Sequence, residues 1–81
     1  MKDIIAFEHY YDVEFTISFW NEKLLRKGQI TVDDLECFFG IAFPYNTNLV
    51  WTNLLTMDNF KRDKSGLYVL MVPDPKKNRL L

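Results

Sequence analysis

Apolar residues recur at helical spacing between residues 12 and 27. Asp12 can cap the start of such a helix, good helix formers follow Trp20, and Gly28 is typical of the left-handed residue after a helix end. We therefore predict a helix over residues 12–27. Alternation of apolar and polar residues over residues 13–19 also fits a strand, but the helix formers that follow favour the helix. The apolar positions at helical spacing are Val13, Ile17, Trp20 and Leu24.

A second helix is predicted to begin at Thr31. Thr31 and Asp34 have the three-residue spacing of a capping box, and Gly40 ends the element. A third helix is predicted over Asn48–Met57. Because β-branched and aromatic residues are frequent there, a strand over Leu49–Met57 is the alternative. The apolar face of the second helix comprises Leu35, Phe38 and Phe39.

A turn between two short segments predicts a β-hairpin. Its strands are Phe60–Arg62 and Leu67–Val72, and Ser65-Gly66 supplies the positive φ that the turn needs. Leu67–Val72 is apolar on both faces, which indicates a strand that is covered on both sides or pairs in the centre of a sheet. The predicted fold class is therefore α+β, with three short helices followed by a C-terminal β-hairpin.

The chain of 81 residues has the length of one small domain. We predict that residues 1–75 form this domain and that residues 76–81 are a basic, flexible tail. Residues 3–8 fit either a short strand or a separate helical turn. The core must be held by burial alone, because one cysteine can form no internal disulfide.

Residues 31–41 read Thr-Val-Asp-Asp-Leu-Glu-Cys-Phe-Phe-Gly-Ile. This segment resembles the first helix and turn of bacterial helix-turn-helix regulators, which typically read Thr-Val-x-x-Leu-Ala-x-x-Leu-Gly-Ile. Three helices followed by a hairpin strand with Tyr68-Val69-Leu70 look like the winged-helix variant of that superfamily. The resemblance implies a transcriptional regulator that binds DNA. Its candidate nucleic-acid contacts are Asn48 and Asn53 in the major groove, with Lys61, Arg62 and Lys64 on phosphate.

The net charge of −1 is divided unevenly along the chain. Residues 1–60 carry four basic and nine acidic residues, a net of −5, whereas residues 61–81 carry six basic and two acidic residues, a net of +4. Such asymmetry can mark a contact with nucleic acid or an acidic partner at one end, although solvated charge also collects at turns and termini. The predicted recognition helix Asn48–Met57 contains no Lys or Arg, which favours protein binding over DNA binding.

Catalytic and metal-binding patterns are missing from the sequence. His9 and Cys37 are the only histidine and thiol, and Cys37, which is followed by Phe38 and Phe39, is expected to be an inert core residue. The acids at the start of the second helix are explained by the helix dipole. We expect no enzyme activity, no cofactor, no metal and no small-molecule substrate. No window approaches the roughly 20 apolar residues of a membrane span, and a lone thiol without a signal peptide favours the cytoplasm.

The chain contains more aromatic rings, thirteen in all, than a core of this size is expected to hide. The alternative is that a core poor in glycine uses rings for bulk. The leading hypothesis is a small regulatory or adaptor protein that binds another protein or itself. It could inhibit a partner with a basic surface, as some phage-encoded inhibitors do. The candidate protein-binding residues are Trp20, Tyr45, Trp51, Tyr10 and Tyr11.

Overall fold

Two helices and two small antiparallel sheets make up the computed structural model, which describes residues 5–78. A 3-10 turn over Met57–Asn59 follows the third strand. In chain order the elements are β1 (Ala6–Phe7), α1 (Tyr10–Lys27), β2 (Ile30–Thr31), α2 (Val32–Phe39), β3 (Leu49–Trp51), β4 (Phe60–Arg62), β5 (Tyr68–Leu70) and β6 (Lys76–Lys77).

Helix α1 confirms the helix that the apolar spacing predicts. It begins two residues earlier than predicted, because His9 and not Asp12 occupies the N-cap position. Gly28 has φ 79°, and its N–H donates to the Leu24 carbonyl at 2.8 Å, so the helix ends where predicted. The buried residues of α1 are Val13, Thr16 and Trp20.

Helix α2 begins with the predicted capping box. The Asp34 N–H donates to the Thr31 hydroxyl at 3.1 Å, and the Thr31 N–H donates to the Asp34 carboxylate at 3.0 Å. Both bonds satisfy backbone donors that have no partner inside the helix. Gly40 ends the element with φ 73°.

The first sheet contains the predicted hairpin, formed by β4 and β5. β1 pairs with the other edge of β5, so the order is β1-β5-β4 and β5 is the central strand that its apolar sequence predicts. The strand alternative for the N-terminal segment is thus correct at Ala6–Phe7. Gly66 supplies the left-handed residue of the turn, with φ 89°.

The second sheet, with the order β2-β3-β6, shows that the predicted third helix is wrong. Leu49–Trp51 is a strand, so the strand alternative holds for the first three residues of its range. Residues 5–78 therefore contain two helices and six strands, and the predicted arrangement of three helices followed by a C-terminal hairpin is wrong.

Lys76–Lys77, predicted as the start of a flexible tail, pairs with β3 as strand β6. Lys76 stands opposite Val50 and Lys77 stands opposite Leu49. The rest of the predicted tail, residues 79–81, lies outside the described residues, as do the first two residues of the predicted 3–8 segment.

Side chains of α1 explain why the segment after β3 is neither helix nor strand. The Trp20 indole N–H donates to the Asn53 carbonyl at 2.9 Å. The Asn21 amide donates to the Leu55 carbonyl at 3.0 Å and accepts from the Leu55 N–H at 2.8 Å. These side-chain hydrogen bonds take the place of backbone–backbone hydrogen bonds at Asn53 and Leu55. Leu55 is buried.

Two tryptophans form the centre of the core between α1 and the second sheet. The Trp20 and Trp51 rings meet edge to face, with centroids 6.1 Å apart. The Trp51 indole N–H donates to the Pro73 carbonyl at 2.7 Å, so both buried indoles have hydrogen-bond partners. The buried core cluster comprises Trp20, Ile30, Val32, Leu35, Trp51, Leu55 and Leu70.

Replacing Asn21 by alanine tests the attachment of this segment to α1. Asn21→Ala removes two hydrogen bonds and leaves the Leu55 N–H and carbonyl without their partners, so we expect it to lower the free energy of unfolding by about 2–3 kcal/mol. Urea unfolding followed by circular dichroism measures the loss. Asn53→Ala is the matched control, because the exposed Asn53 side chain should be worth about 0.5 kcal/mol or less. Equal losses in the two variants would contradict the prediction.

The Asp34 carboxylate couples the capping box to the end of α1. Partial burial raises the pKa of Asp34, but hydrogen bonds from the Thr31 backbone and from Lys27 outweigh burial and hold this pKa below its ordinary value. Because the folded-state pKa is depressed, Asp34 stabilises the fold above its unfolded pKa. That stabilisation is lost as the pH falls through the folded-state pKa.

We therefore expect the destabilisation caused by Asp34→Asn to depend on pH. The difference in unfolding free energy from the wild-type chain should be largest above about pH 5 and should shrink as the pH falls below about 4. Urea titrations at several pH values measure it. Asp33→Asn, an exposed acid of the same helical turn, is the control and should show a smaller change. A pH-independent Asp34→Asn difference would rule out the proposed coupling.

Candidate protein-binding surface

Three of the aromatic residues predicted to bind a partner belong to the interior. Trp20 and Trp51 are 0% and 1% exposed, and they form the centre of the core. Tyr45 is half-buried, with its ring edge-on to Trp51 at 5.3 Å. The expectation that surplus rings must lie at the surface therefore fails for the two largest side chains.

Tyr10 and Tyr11, the other two predicted residues, are exposed in the first turn of α1. Tyr10 is 46% exposed and packs edge-on against Tyr68 of β5 at 5.9 Å, so it lies beside the first sheet. Tyr11 is 68% exposed. The two neighbouring tyrosines therefore belong to different parts of the surface.

A row of phenylalanine rings lies where α1 meets α2. The Phe19 and Phe38 rings are stacked with centroids 3.9 Å apart and planes 9° apart. The centroid of the Phe15 ring lies 5.8 Å from that of Phe38, with the two planes 30° apart. Phe15 is 63% exposed. We call the set formed by Tyr11, Phe15, Phe19 and Phe38 the aromatic surface.

The spacing of α1 explains how this surface arises. Tyr11, Phe15 and Phe19 are separated by four residues each, so they lie along one stripe of the helix. This stripe is distinct from the buried side that contains Trp20. The same spacing is readable in the sequence. The spacing alone does not tell which stripe of α1 faces solvent.

Helix α2 completes the surface by dividing its predicted apolar face. Leu35 is fully buried, and Phe39 packs inward against Phe7 at 6.4 Å and Phe43 at 5.9 Å. Phe38 instead turns toward α1 and stays half-buried. One part of the predicted face thus fills the core, and the other part faces solvent.

The two helices that support the aromatic surface carry more acidic than basic residues. Glu14 of α1 and Asp33 of α2 are exposed acids that lie outside any ion pair among the described residues. Lys23 lies over the Phe19 ring at 5.6 Å. The three basic residues of α1 pair with only two acids, because Lys23 and Lys27 share Asp34. The pairs are Arg26 with Glu22 at 3.3 Å, Lys27 with Asp34 at 3.2 Å and Lys23 with Asp34 at 4.0 Å.

The residues predicted to contact nucleic acid are only partly brought together. Asn53 is exposed in the irregular segment after β3, and Asn48 is half-buried with its carbonyl bonded to the Asn78 N–H at 2.8 Å. They do not share a helix that could enter a groove. The three predicted cations do lie together on β4 and the following turn, namely Lys61, Arg62 and Lys64.

Cys37 is exposed, so the expectation that it belongs to the core is wrong. Helix α2 buries Leu35 instead and presents the thiol to solvent. Residues 5–78 contain no group of three or more His, Cys, Asp or Glu side chains placed to hold a metal ion. In the same range neither helix is long and apolar enough to traverse a lipid bilayer.

No protein family, curated protein or solved structure matches this chain. The geometry of the chain's own residues is therefore the basis for inferring its function. Among its surface features, the aromatic surface combines exposed rings with the support of two helices that carry an excess of acids.

The position of Cys37 predicts that its thiol reacts in the folded protein. We expect one equivalent of thiol to be titrated by Ellman's reagent without denaturant, at about the rate measured in urea, because Cys37 is exposed. Absorbance of the released chromophore measures both rates. The Cys37→Ser variant supplies the blank. A thiol that reacts only after unfolding would contradict its exposed position.

Proposed function

We propose that this protein is a small, non-catalytic binding protein whose aromatic surface contacts another protein. The observation that carries the proposal is the exposure of Phe15, which lies in ring contact with Phe38 at a site held by two helices. Large exposed rings on a rigid support are typical of interface hot spots. A cytoplasmic setting is part of the proposal, because the lone thiol of Cys37 suits a reducing compartment.

The chemistry of the aromatic surface defines the partner that it suits. Stacked rings favour an apolar patch on the other protein, and the excess of acids on the two supporting helices favours basic residues at its edge. The three basic residues of α1 form ion pairs with Glu22 and Asp34, which reduces their attraction for an acidic partner. The complementary surface on the partner is an apolar patch with a basic rim. A regulator bound there would act by blocking that patch.

The energetic contribution of Phe15 can be bounded from its exposure. Full burial of a phenylalanine side chain is worth about 1.5–3 kcal/mol. Because 63% of this residue is exposed in the free protein, covering it supports binding by about 1–2 kcal/mol. That is a factor of about ten in the dissociation constant, so one substitution is enough to reveal the interface.

A pair of serine substitutions on α1 tests the proposal. Phe15→Ser should weaken binding about tenfold, whereas Leu25→Ser should leave it unchanged. Leu25 is the matched control because it is apolar, 86% exposed and about 15 Å along the same helix. The partner is captured from the native host and identified by crosslinking through a photoreactive residue at position 11. Its affinity for each variant is then measured by calorimetry.

Sedimentation velocity of the chain alone distinguishes a second copy from a different partner. Concentration-dependent dimerisation that Phe15→Ser abolishes would identify the partner as the chain itself. The proposal would be contradicted if the chain is monomeric and the Phe15→Ser variant binds the captured partner as tightly as the wild-type chain does. Circular dichroism and urea unfolding of both variants verify that they are folded.

A further inference from the structure

A second charged surface lies on the hairpin, apart from the aromatic surface. We call Lys61 and Arg62 of β4 and Lys64 of the following turn the basic hairpin. Within residues 5–78 none of the three belongs to an ion pair. All three are exposed, so their charge faces solvent. These cations are therefore free to contact an anionic ligand.

The acid within the hairpin is held by the turn itself. One oxygen of the Asp63 carboxylate accepts from the Ser65 N–H at 3.0 Å, the Ser65 hydroxyl at 2.7 Å and the Leu67 N–H at 2.9 Å. These bonds fix the carboxylate at the base of the turn and keep it out of ion pairs with its neighbours. Three cations against this one acid leave the hairpin with a local net charge of +2.

Arg62 is positioned before any ligand arrives. Its guanidinium carbon lies 4.8 Å from the centre of the Tyr68 ring, and one nitrogen donates to the Gly66 carbonyl at 3.2 Å. Tyr10 packs edge-on against Tyr68 and is itself half exposed. Arg62 is thus a fixed cation on the Tyr68 ring, and Tyr68 in turn contacts the exposed Tyr10. Cations and aromatic rings are the groups that bind the phosphates and bases of nucleic acids.

The register of the hairpin distributes its cations around the strand. Lys61 stands opposite Val69 and Arg62 stands opposite Tyr68, so the two side chains project from opposite faces. Lys64 extends from the turn between the strands. A ligand with charges repeated along a chain can contact all three cations by passing around the end of the hairpin. A single small anion cannot do so.

We propose that the basic hairpin binds the phosphodiester backbone of a nucleic acid. Repeated phosphates match the three separated cations, and a base can stack on the exposed part of Tyr10. Residues 1–60 carry a net charge of −5 and repel a polyanion, which confines the contact to the hairpin end. The basic hairpin shares no residue with the aromatic surface, so each is tested with its own variants.

Fluorescence anisotropy with labelled oligonucleotides of about 20 nucleotides, as single strand and as duplex, tests the site. With three phosphate contacts, the logarithm of the affinity should fall with the logarithm of salt concentration at a slope of about −2.7 for duplex and about −2.1 for single strand. Raising the salt from about 50 to about 200 mM should weaken binding about 40-fold and about 20-fold respectively. The better-bound form identifies which nucleic acid the hairpin prefers.

Two double variants with the same change in charge locate the contact. Lys61→Gln with Lys64→Gln should reduce affinity at least about tenfold and reduce the duplex slope to about −0.9, because one cation remains. Lys76→Gln with Lys77→Gln on β6 should change affinity by less than about threefold. Arg62 is left intact because it also bonds the turn. Circular dichroism verifies that both variants are folded.

Three outcomes would overturn this proposal. The first is no anisotropy change with either oligonucleotide at low salt. The second is an equal loss of affinity in the two double variants, which would show diffuse attraction. The third is tighter binding of polyglutamate than of nucleic acid, which would assign the hairpin to an acidic protein. The variants in these experiments leave Phe15 and Phe38 unchanged, so the proposed protein-binding function is tested separately.

Discussion

The fold depends on the attachment of an irregular segment to α1 by two adjacent side chains. Trp20 and Asn21 bond the backbone at Asn53 and Leu55, and Trp20 packs against Trp51 at the end of β3. The two sheets are each small and share no strand. Helix α1 contacts both of them, through β1 and β2. The buried indoles add a contact with β3 and so help to fix the position of the second sheet relative to the helix, and through it the place of β6.

Elements with local signals could be predicted from the sequence, whereas the segment after residue 48 could not. The ends of α1 and α2 are marked by Gly28, Gly40 and the Thr31–Asp34 capping box, and the hairpin is marked by Gly66. All of these are decided within a few residues. Residues 49–57 take their conformation from β2, β6 and the side chains of α1, which are distant in sequence. Their apolar spacing alone fits a helix equally well.

Of the aromatic surface, Tyr11 was predicted as a binding residue, but its phenylalanines were not, for a related reason. The largest rings were expected at the surface because the core was judged too small for them, yet Trp20 and Trp51 fill it with their polar N–H groups satisfied. Because the two indoles fill the core, Phe15 and Phe38 lie outside it, where α1 meets α2. The four-residue spacing of Tyr11 and Phe15 was visible in the sequence. Which stripe of α1 faces solvent became clear only from the fold.

The placement of basic residues on β4 and β6 has a consequence for how copies of this chain meet one another. Both strands lie at sheet edges, where unpaired backbone groups can recruit a strand from a neighbouring molecule. β6 consists of Lys76 and Lys77, and β4 ends in Lys61 and Arg62. Like charges at these short edges oppose the edge-to-edge pairing of two such strands from different molecules. The cations thus oppose aggregation through the edge strands β4 and β6, whatever ligand they also bind.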